Sequence, residues 1–242
     1  MEIVLELVRE RRANNPKMGG LKLFYLIHPI LEKMGIKLGR DGFFDILREN
    51  KMLVKRKRSF TKTTQSFGWI NKYKDCYNNI VFTAPNRIWV SDITYLRVGE
   101  NFMYLFLITD AYSRKIVGWK LAHTLEAKWA IEALEMALKQ CKNRKGVVHH
   151  SDRGFQYTSK EYTNLLLKNK MLISMGKIGY CYDNAKAERV NGILKDEYLL
   201  DTTFKDSMTA LLATKEGIKA YNYERPHLSL KMKIPFEIHD VA

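Results

Sequence analysis

The chain has 242 residues, with 41 Lys and Arg against 26 Asp and Glu, for a net charge of +15. That length holds one core of about 150 residues beside a smaller module, and the cationic surplus favours a polyanionic partner without specifying its sequence. The longest apolar runs, such as residues 102–108, fall far short of the ~20 residues a membrane span needs. The N-terminus lacks a signal-peptide pattern, and the widely spaced Cys76, Cys141 and Cys181 read as free thiols in a reducing compartment.

Residues 2–12 place Ile3, Leu5, Leu7 and Val8 in a predicted helix that Asn14-Asn15-Pro16 ends. Gly19-Gly20 leads into a second helix over 21–34, where Pro29 is a kink or restart point. Asp41 is the expected cap of a third helix carrying Phe43, Phe44, Ile46 and Leu47. Three short helices with a glycine-bearing connection, residues 1–54, have the make-up of a helix-turn-helix DNA-binding module. A helical bundle that only packs on the core would look the same.

The charge is uneven, because residues 1–84 hold 17 basic side chains against 8 acidic ones. Within residues 55–84, Lys55, Arg56, Lys57 and Arg58 open a basic, polar linker. It reads as an arm tracking phosphates, with a plain solvated charge run as the alternative. Phe67, Trp69, Tyr73 and Tyr77 read as packing residues rather than base-stacking ones.

Strand patterns follow at 87–96, 102–109, 115–121, 146–150 and 171–175. The clearest helix, 125–141, has Ala130, Ile131, Leu134, Ala137, Leu138 and Cys141 at helical spacing. Short hairpins join the first three strands, and helices precede the fourth and fifth. The expected core over 85–200 is therefore α/β, a mixed five-stranded sheet flanked by helices. In the tail, 201–242, a helix carrying Leu211, Leu212, Ile218 and Tyr221 ends at Arg225-Pro226-His227. An extended arm over 231–235 and a hydrophobic anchor at Phe236 and Ile238 are expected after it.

Three carboxylates stand in separate motifs. Asp92 lies in the strand-like Trp89-Val90-Ser91-Asp92-Ile93-Thr94-Tyr95, and Asp152 follows a second strand and precedes the turn signal Arg153-Gly154. Glu188 sits at the start of a helix that Asp183 or Asn184 would cap. Phosphodiester transfer needs an activated oxygen nucleophile, a stabilised leaving oxygen and neutralised phosphate charge. Two Mg²⁺ ions about 3.5–4 Å apart supply all three, and a few carboxylates suffice to seat them. Asp92 can bridge both ions, with Asp152 and Glu188 binding one each; a turn-forming Asp and a Glu on a solvated helix face are the alternative reading. Without metal, three such groups in one cleft repel one another. Asp110 also ends a strand but precedes Ala111-Tyr112-Ser113-Arg114, so it reads as a turn former. His149 is expected to be packed or hydrogen-bonded, and His150 to lie beside the site. Asn191 and Lys195 share the helix face of Glu188. Lys195 is either a phosphate contact or a plain surface lysine, and Arg189 points elsewhere.

The motifs around Asp92, the run His150-Ser151-Asp152-Arg153-Gly154-Phe155-Gln156-Tyr157, Cys181-Tyr182-Asp183-Asn184-Ala185 and Tyr221-Asn222-Tyr223-Glu224-Arg225-Pro226-His227 resemble bacterial insertion-sequence transposases. The similarity is to the second-reading-frame product of the "insertion sequence three" family and covers the chain from about Asn86 onward. The resemblance implies a ribonuclease-H-like fold and a DDE recombinase with Asp92, Asp152 and Glu188 as metal ligands. It implies Mg²⁺ with Mn²⁺ as a substitute, and Lys195 near phosphate. Element ends and target DNA are the implied partners, with Asn191, Lys55, Arg56, Lys57, Arg58 and Arg225 as further candidate contacts. Joining two DNA ends implies a homo-oligomer, a dimer or larger, in the bacterial cytoplasm at the nucleoid. The tail would contact DNA or a second subunit, or simply close the core. A nuclease or resolvase on the same fold and a non-catalytic, transposase-derived regulator are the alternatives. The family often adds an upstream segment by frameshifting. The chain is then a complete small transposase, part of a longer fusion, or a modulator of one.

Overall fold

A computed structural model of the protein describes residues 1–55, 73, 75, 83–176 and 185–240. Its centre is β1 (Ile88–Val98), whose first four residues are all buried before burial begins to alternate. The change follows from the neighbours. β2 (Asn101–Asp110) pairs antiparallel along the whole of β1, from Trp89 opposite Asp110 to Val98 opposite Asn101. On the other side β4 (Val148–Ser151) runs parallel to it and pairs only with Ile88, Trp89 and Val90. The β1–β2 hairpin turns at Gly99, whose φ of +56° suits the short hairpin loops that need positive φ.

β3 (Ile116–Ala122) adds antiparallel to β2, and β5 (Leu172–Met175) adds parallel to β4, giving the order β3-β2-β1-β4-β5. The expected mixed sheet is present, with one addition. β6 (Thr203–Phe204) pairs parallel with Arg97 and Val98 at the far end of β1.

Helices cover both faces. On one, α4 (Ala127–Gln140), α5 (Phe155–Thr158) and α6 (Lys160–Lys168) bury Trp89, Phe106, Ala133, Leu134, Ala137, Tyr162 and Leu166 in a single core. Tyr73 packs against this core as expected, whereas Phe67, Trp69 and Tyr77 lie outside the described residues. Gly118 on β3 lets α4 approach closely: a Cβ there would stand 2.2 Å from the Ala133 carbonyl oxygen. On the other face, α7 (Ala185–Glu197) and α8 (Ser207–Tyr223) bury Val190, Ile193, Leu194, Ile218 and Tyr221 against Leu96, Leu105 and Leu107.

The first helices are α1 (Glu2–Asn14), α2 (Gly20–Lys33) and α3 (Arg40–Glu49), packed around Val8, Leu23, Ile27, Leu31, Phe43 and Leu47. α2 runs through Pro29 to Lys33. Gly39 rather than Asp41 is the N-cap of α3. The helix starts one residue before Asp41, which places that carboxylate in the first turn, paired with Arg40. This bundle joins the core at the C-terminal end of α7. The Lys22 ammonium holds Glu197 at 2.8 Å, the Tyr198 hydroxyl donates to Asn15 at 2.7 Å, and the Lys17 N–H donates to the Glu197 carbonyl.

The tail departs from expectation. Instead of an extended arm, a 3₁₀ turn (Leu228–Leu230) and α9 (Pro235–Asp240) follow α8. Lys231 and Met232 take positive φ, and the Met232 N–H returns to the His227 carbonyl, so the chain folds back on itself. Leu212 is 54% exposed and Phe236 40% exposed. The inward face of α8 carries Ala210, Thr214, Gly217, Ile218 and Tyr221, with Gly217 packed against Tyr198.

Candidate active site

Asp92 and Asp152 meet where the two central parallel strands part. β4 pairs with β1 through Val90 and His150. Extending that register by two residues sets Asp92 against Asp152, which leaves β4 directly after Ser151. Asp92 is half-buried, and its Oδ2 accepts a 2.7 Å hydrogen bond from Asn191 Nδ2 on α7. Burial is the main force pushing its carboxyl up to about 7, and the charges of Asp152 and then Glu188 add to it, against the opposing Asn191 hydrogen bond. Asp152 Oδ1 accepts from the Gly154 N–H at 2.9 Å. The residue is exposed, yet desolvation by the protein around it raises its carboxyl as well. The turn needs Gly154: a Cβ there would lie 3.0 Å from Asp152 Oδ1 and 2.9 Å from Gln156 Oε1.

Glu188 is exposed in the first turn of α7, one turn ahead of Asn191. Asp183 and Asn184, the expected caps, lie outside the described residues. Among the described residues no three His, Cys, Asp or Glu side chains close around one point as a metal cluster. The donor set is nonetheless the one a hard divalent cation takes, carboxylate oxygens only. Asp92, pushed up by burial and then by the charge of Asp152, is where added positive charge would bring relief.

The remaining candidates divide. His149 is fully buried, and its Nε2 lies 2.7 Å from Ser91 Oγ and 2.8 Å from the Tyr162 hydroxyl. Burial above all pushes its pKa down to about 3, so the ring is a neutral link between β4, β1 and α6. His150 is buried too, with Nδ1 2.9 Å from Ser174 Oγ across the β4–β5 pair. Asp110 is a turn former as read: its carboxylate accepts from the Ser113 N–H and hydroxyl and from the Asn86 N–H, each at 2.7 Å.

Asn191 is buried and committed to Asp92 rather than presented outward. Lys195 reaches over the Tyr95 ring, 4.1 Å from its centroid. Lys55 is exposed, while Arg56, Lys57 and Arg58 lie outside the described residues. Arg225 corrects the sequence expectation. It is 2% exposed, and its Nε and Nη2 donate to the two Glu197 oxygens at 2.8 and 2.6 Å. A guanidinium so enclosed is a structural ion pair and offers nothing to a surface ligand. Sequence reasoning missed Glu197, whose two cationic partners lie 175 and 28 residues away, so no local signal marks it. It also left Tyr95 unassigned, although Tyr95 stands in the Asp92 motif.

The sheet order and its flanking helices are those of an integrase-core protein. Residues 83–181 match the family described as Integrase core domain, and residues 169–235 match a second family of that description. An "Insertion element IS600 uncharacterized 31 kDa protein" of Shigella sonnei is 35% identical over 202 residues, 83% of this chain and 74% of that one. The "Transposase InsF for insertion sequence IS3A" of Escherichia coli K12 is 41% identical over 115 residues, 48% of this chain and 40% of that one. A "Putative transposase for insertion sequence element IS986/IS6110" of Mycobacterium tuberculosis is 36% identical over 148 residues. The chain spans 53% of the mycobacterial protein's length. Among solved structures, the HTLV-2 integrase catalytic core domain in complex with magnesium matches with a TM-score of 0.52. It is 21% identical, and the match covers 64% of this chain and 97% of that one. A simian T-cell lymphotropic virus intasome matches with a TM-score of 0.54 at 19% identity, over 66% of this chain and 57% of that one. These two likenesses are of fold, which is ribonuclease-H-like. The chain belongs to the integrase-core family of bacterial insertion-sequence transposases.

Proposed function

We propose that the chain is a DDE-type DNA transposase that cleaves DNA at the ends of an insertion sequence and joins them to a target. The observation that carries this is the Asp92–Asp152 pair at the parting of β1 and β4, with Asp92 pushed up to about 7 by burial and like charge. Asp92, Asp152 and Glu188 are the residues that would hold Mg²⁺, or Mn²⁺ in its place. When bound, two such cations supply activation of the attacking oxygen and neutralisation of phosphate charge.

The protein's own groups set the geometry. Asn191 Nδ2 donates to Asp92 Oδ2, and the Gly154 N–H donates to Asp152 Oδ1, so each carboxylate is oriented by the protein. The neutral His149 braces β4 from beneath without adding positive charge. Lys195 stands on the α7 face of Glu188, two turns further along the helix, as the cation that would meet a phosphate. Lys55 and the basic residues after it add an arm for the DNA backbone. A dimer or larger assembly, each copy acting on one DNA end, completes the proposal.

The test is Mg²⁺- or Mn²⁺-dependent cleavage and joining of DNA copied from the flanks of the chain's own gene, with Glu188→Gln and Asp152→Asn alongside. Products with the natural chain, none with either variant, and unchanged DNA binding by Asp152→Asn are the expected outcome. Equal loss of binding and chemistry in Asp152→Asn would overturn the assignment. Intact binding without products from the natural chain or its frameshifted fusion would leave the regulator reading standing.

A further inference from the structure

α4 stops covering its face of the sheet before the β1–β2 hairpin ends, and the uncovered part is aromatic and cationic. Tyr95 faces Tyr104 across the hairpin and Arg97 faces Phe102, so all four side chains share one face. Tyr95 is 40% and Phe102 43% exposed, and their rings meet edge to face at 5.3 Å and 84°. A cation stands over each ring: Lys195 Nζ lies 4.1 Å from the Tyr95 centroid, and the Arg97 guanidinium 5.9 Å from that of Phe102. Lys195 links this strip to the carboxylates. It lies on the α7 face of Glu188 and Asn191, and Asn191 holds Asp92.

We propose that Tyr95 and Phe102, flanked by Lys195 and Arg97, form a stacking platform for an unpaired DNA strand running out of the carboxylate site. That the strand is DNA rests on the transposase reading. The chemistry of the strip specifies that it is unpaired. Cations attract any phosphate backbone, but exposed ring faces gain only from bases whose own faces are free, and a duplex hides those in its stack. Every base has such a face, so the platform is tolerant of sequence. Asp92 opposes Leu107 and faces α7, whereas Tyr95 opposes Tyr104 on the α4 face, so the DNA strand turns around the edge of β1 between its β4 and β6 pairings, where Lys195 reaches the Tyr95 ring. Along β1 the span from Asp92 to Arg97 is about 17 Å at about 3.3 Å per residue, the length of a short run of nucleotides. A purely structural role, in which the two rings only brace the hairpin, would be served equally by bulky aliphatic side chains.

The experiment compares the full chain with Tyr95→Leu/Phe102→Leu, which keeps apolar bulk without ring faces, and Tyr95→Phe/Phe102→Tyr, which keeps both rings. Fluorescence anisotropy without divalent metal measures affinity for a blunt duplex and for the same duplex with an unpaired tail of about five nucleotides containing 2-aminopurine. The natural chain and the ring-keeping variant are expected to bind the tailed duplex about tenfold more tightly than the blunt one and to quench the 2-aminopurine. The Leu variant is expected to bind both alike and leave the probe bright. Tail preference surviving in a Leu variant that is folded by circular dichroism overturns the proposal, as does absence of preference in the natural chain. Phe102→Leu alone is read by the same criteria if the double variant unfolds. Because this binding assay needs no chemistry, it separates from the transposase test. Failed cleavage and joining with tail preference intact would remove the transposase reading and keep the platform, and the converse result would do the reverse.

Discussion

Asp92→Asn is expected to stabilise the metal-free chain at pH 8 and to change little at pH 4. The carboxyl is pushed from an ordinary aspartate value of 3.8 to about 7 in the folded chain, first by burial and then by Asp152. Folding therefore favours its protonated form. The contribution of that form to stability is fully present below the unfolded value near 4 and gone once pH passes about 7. At about 1.36 kcal/mol per unit the ceiling is about 4 kcal/mol. Asp92 is only half-buried, and solvent at its open edge brings the expectation to about 2 kcal/mol. For a chain of this size that is a rise in Tm of roughly 4–8 °C. Thermal unfolding in a metal chelator at pH 4, 6 and 8 measures it. The gap between the variant and the natural chain should widen from pH 4 to 7 and then level. Mg²⁺ at pH 8 should raise the Tm of the natural chain and leave that of the variant nearly still. A gap independent of pH, or a natural chain more stable than the variant at pH 8 without metal, would refute the reasoning.

Three further substitutions probe the frame around the site. Glu197→Ala leaves the Lys22 and Arg225 cations, 11% and 3% exposed at their side chains, facing each other without their shared counter-ion. A loss of about 3–5 kcal/mol in urea denaturation is expected, and a loss under about 1 kcal/mol would show the pair to be dispensable. Gly118→Ala puts a methyl group 2.2 Å from the Ala133 carbonyl oxygen. It should cost at least about 2 kcal/mol by forcing α4 off the sheet, and an unchanged midpoint would contradict that packing. Tyr157 buries a hydroxyl that has no hydrogen-bond partner among the described residues. Tyr157→Phe should therefore be neutral or stabilise by about 1 kcal/mol, whereas clear destabilisation would mean the hydroxyl is bonded.

What the sequence made legible was the sheet and the two carboxylates that ride on it. Strand periodicity around Asp92 and the Ser151-Asp152-Arg153-Gly154 turn signal are local, and local signals survive into the fold. The tail was read less well. Arg225 sits in a polar, proline-bounded stretch that looks like surface, and only packing 28 residues away against Glu197 makes it core. The two residues of β6 are too few to carry a period. α9 does carry a signal, Pro235 at its first position, but its six residues are too few to show a helical period. The exposed Leu211 and Leu212 show the same limit from the other side. Helical spacing said a face existed, and Gly217 against Tyr198 decided which face went in.

The third carboxylate differs in kind from the other two. Strand pairing places Asp92 and Asp152, so the sheet that forms the core also forms their half of the candidate site. Glu188 has no strand beneath it and takes its position from α7. That helix is held near the site by Asn191 on Asp92 and, at its far end, by Glu197 between Lys22 of α2 and Arg225 of the tail. Nine residues of helix separate Glu188 from Glu197, about 13.5 Å of rigid rod, so displacement at one end is carried to the other. The N-terminal bundle and the tail thus bear on the candidate site without touching it. Each supplies one of the two cations that fix the rod on which the third carboxylate stands.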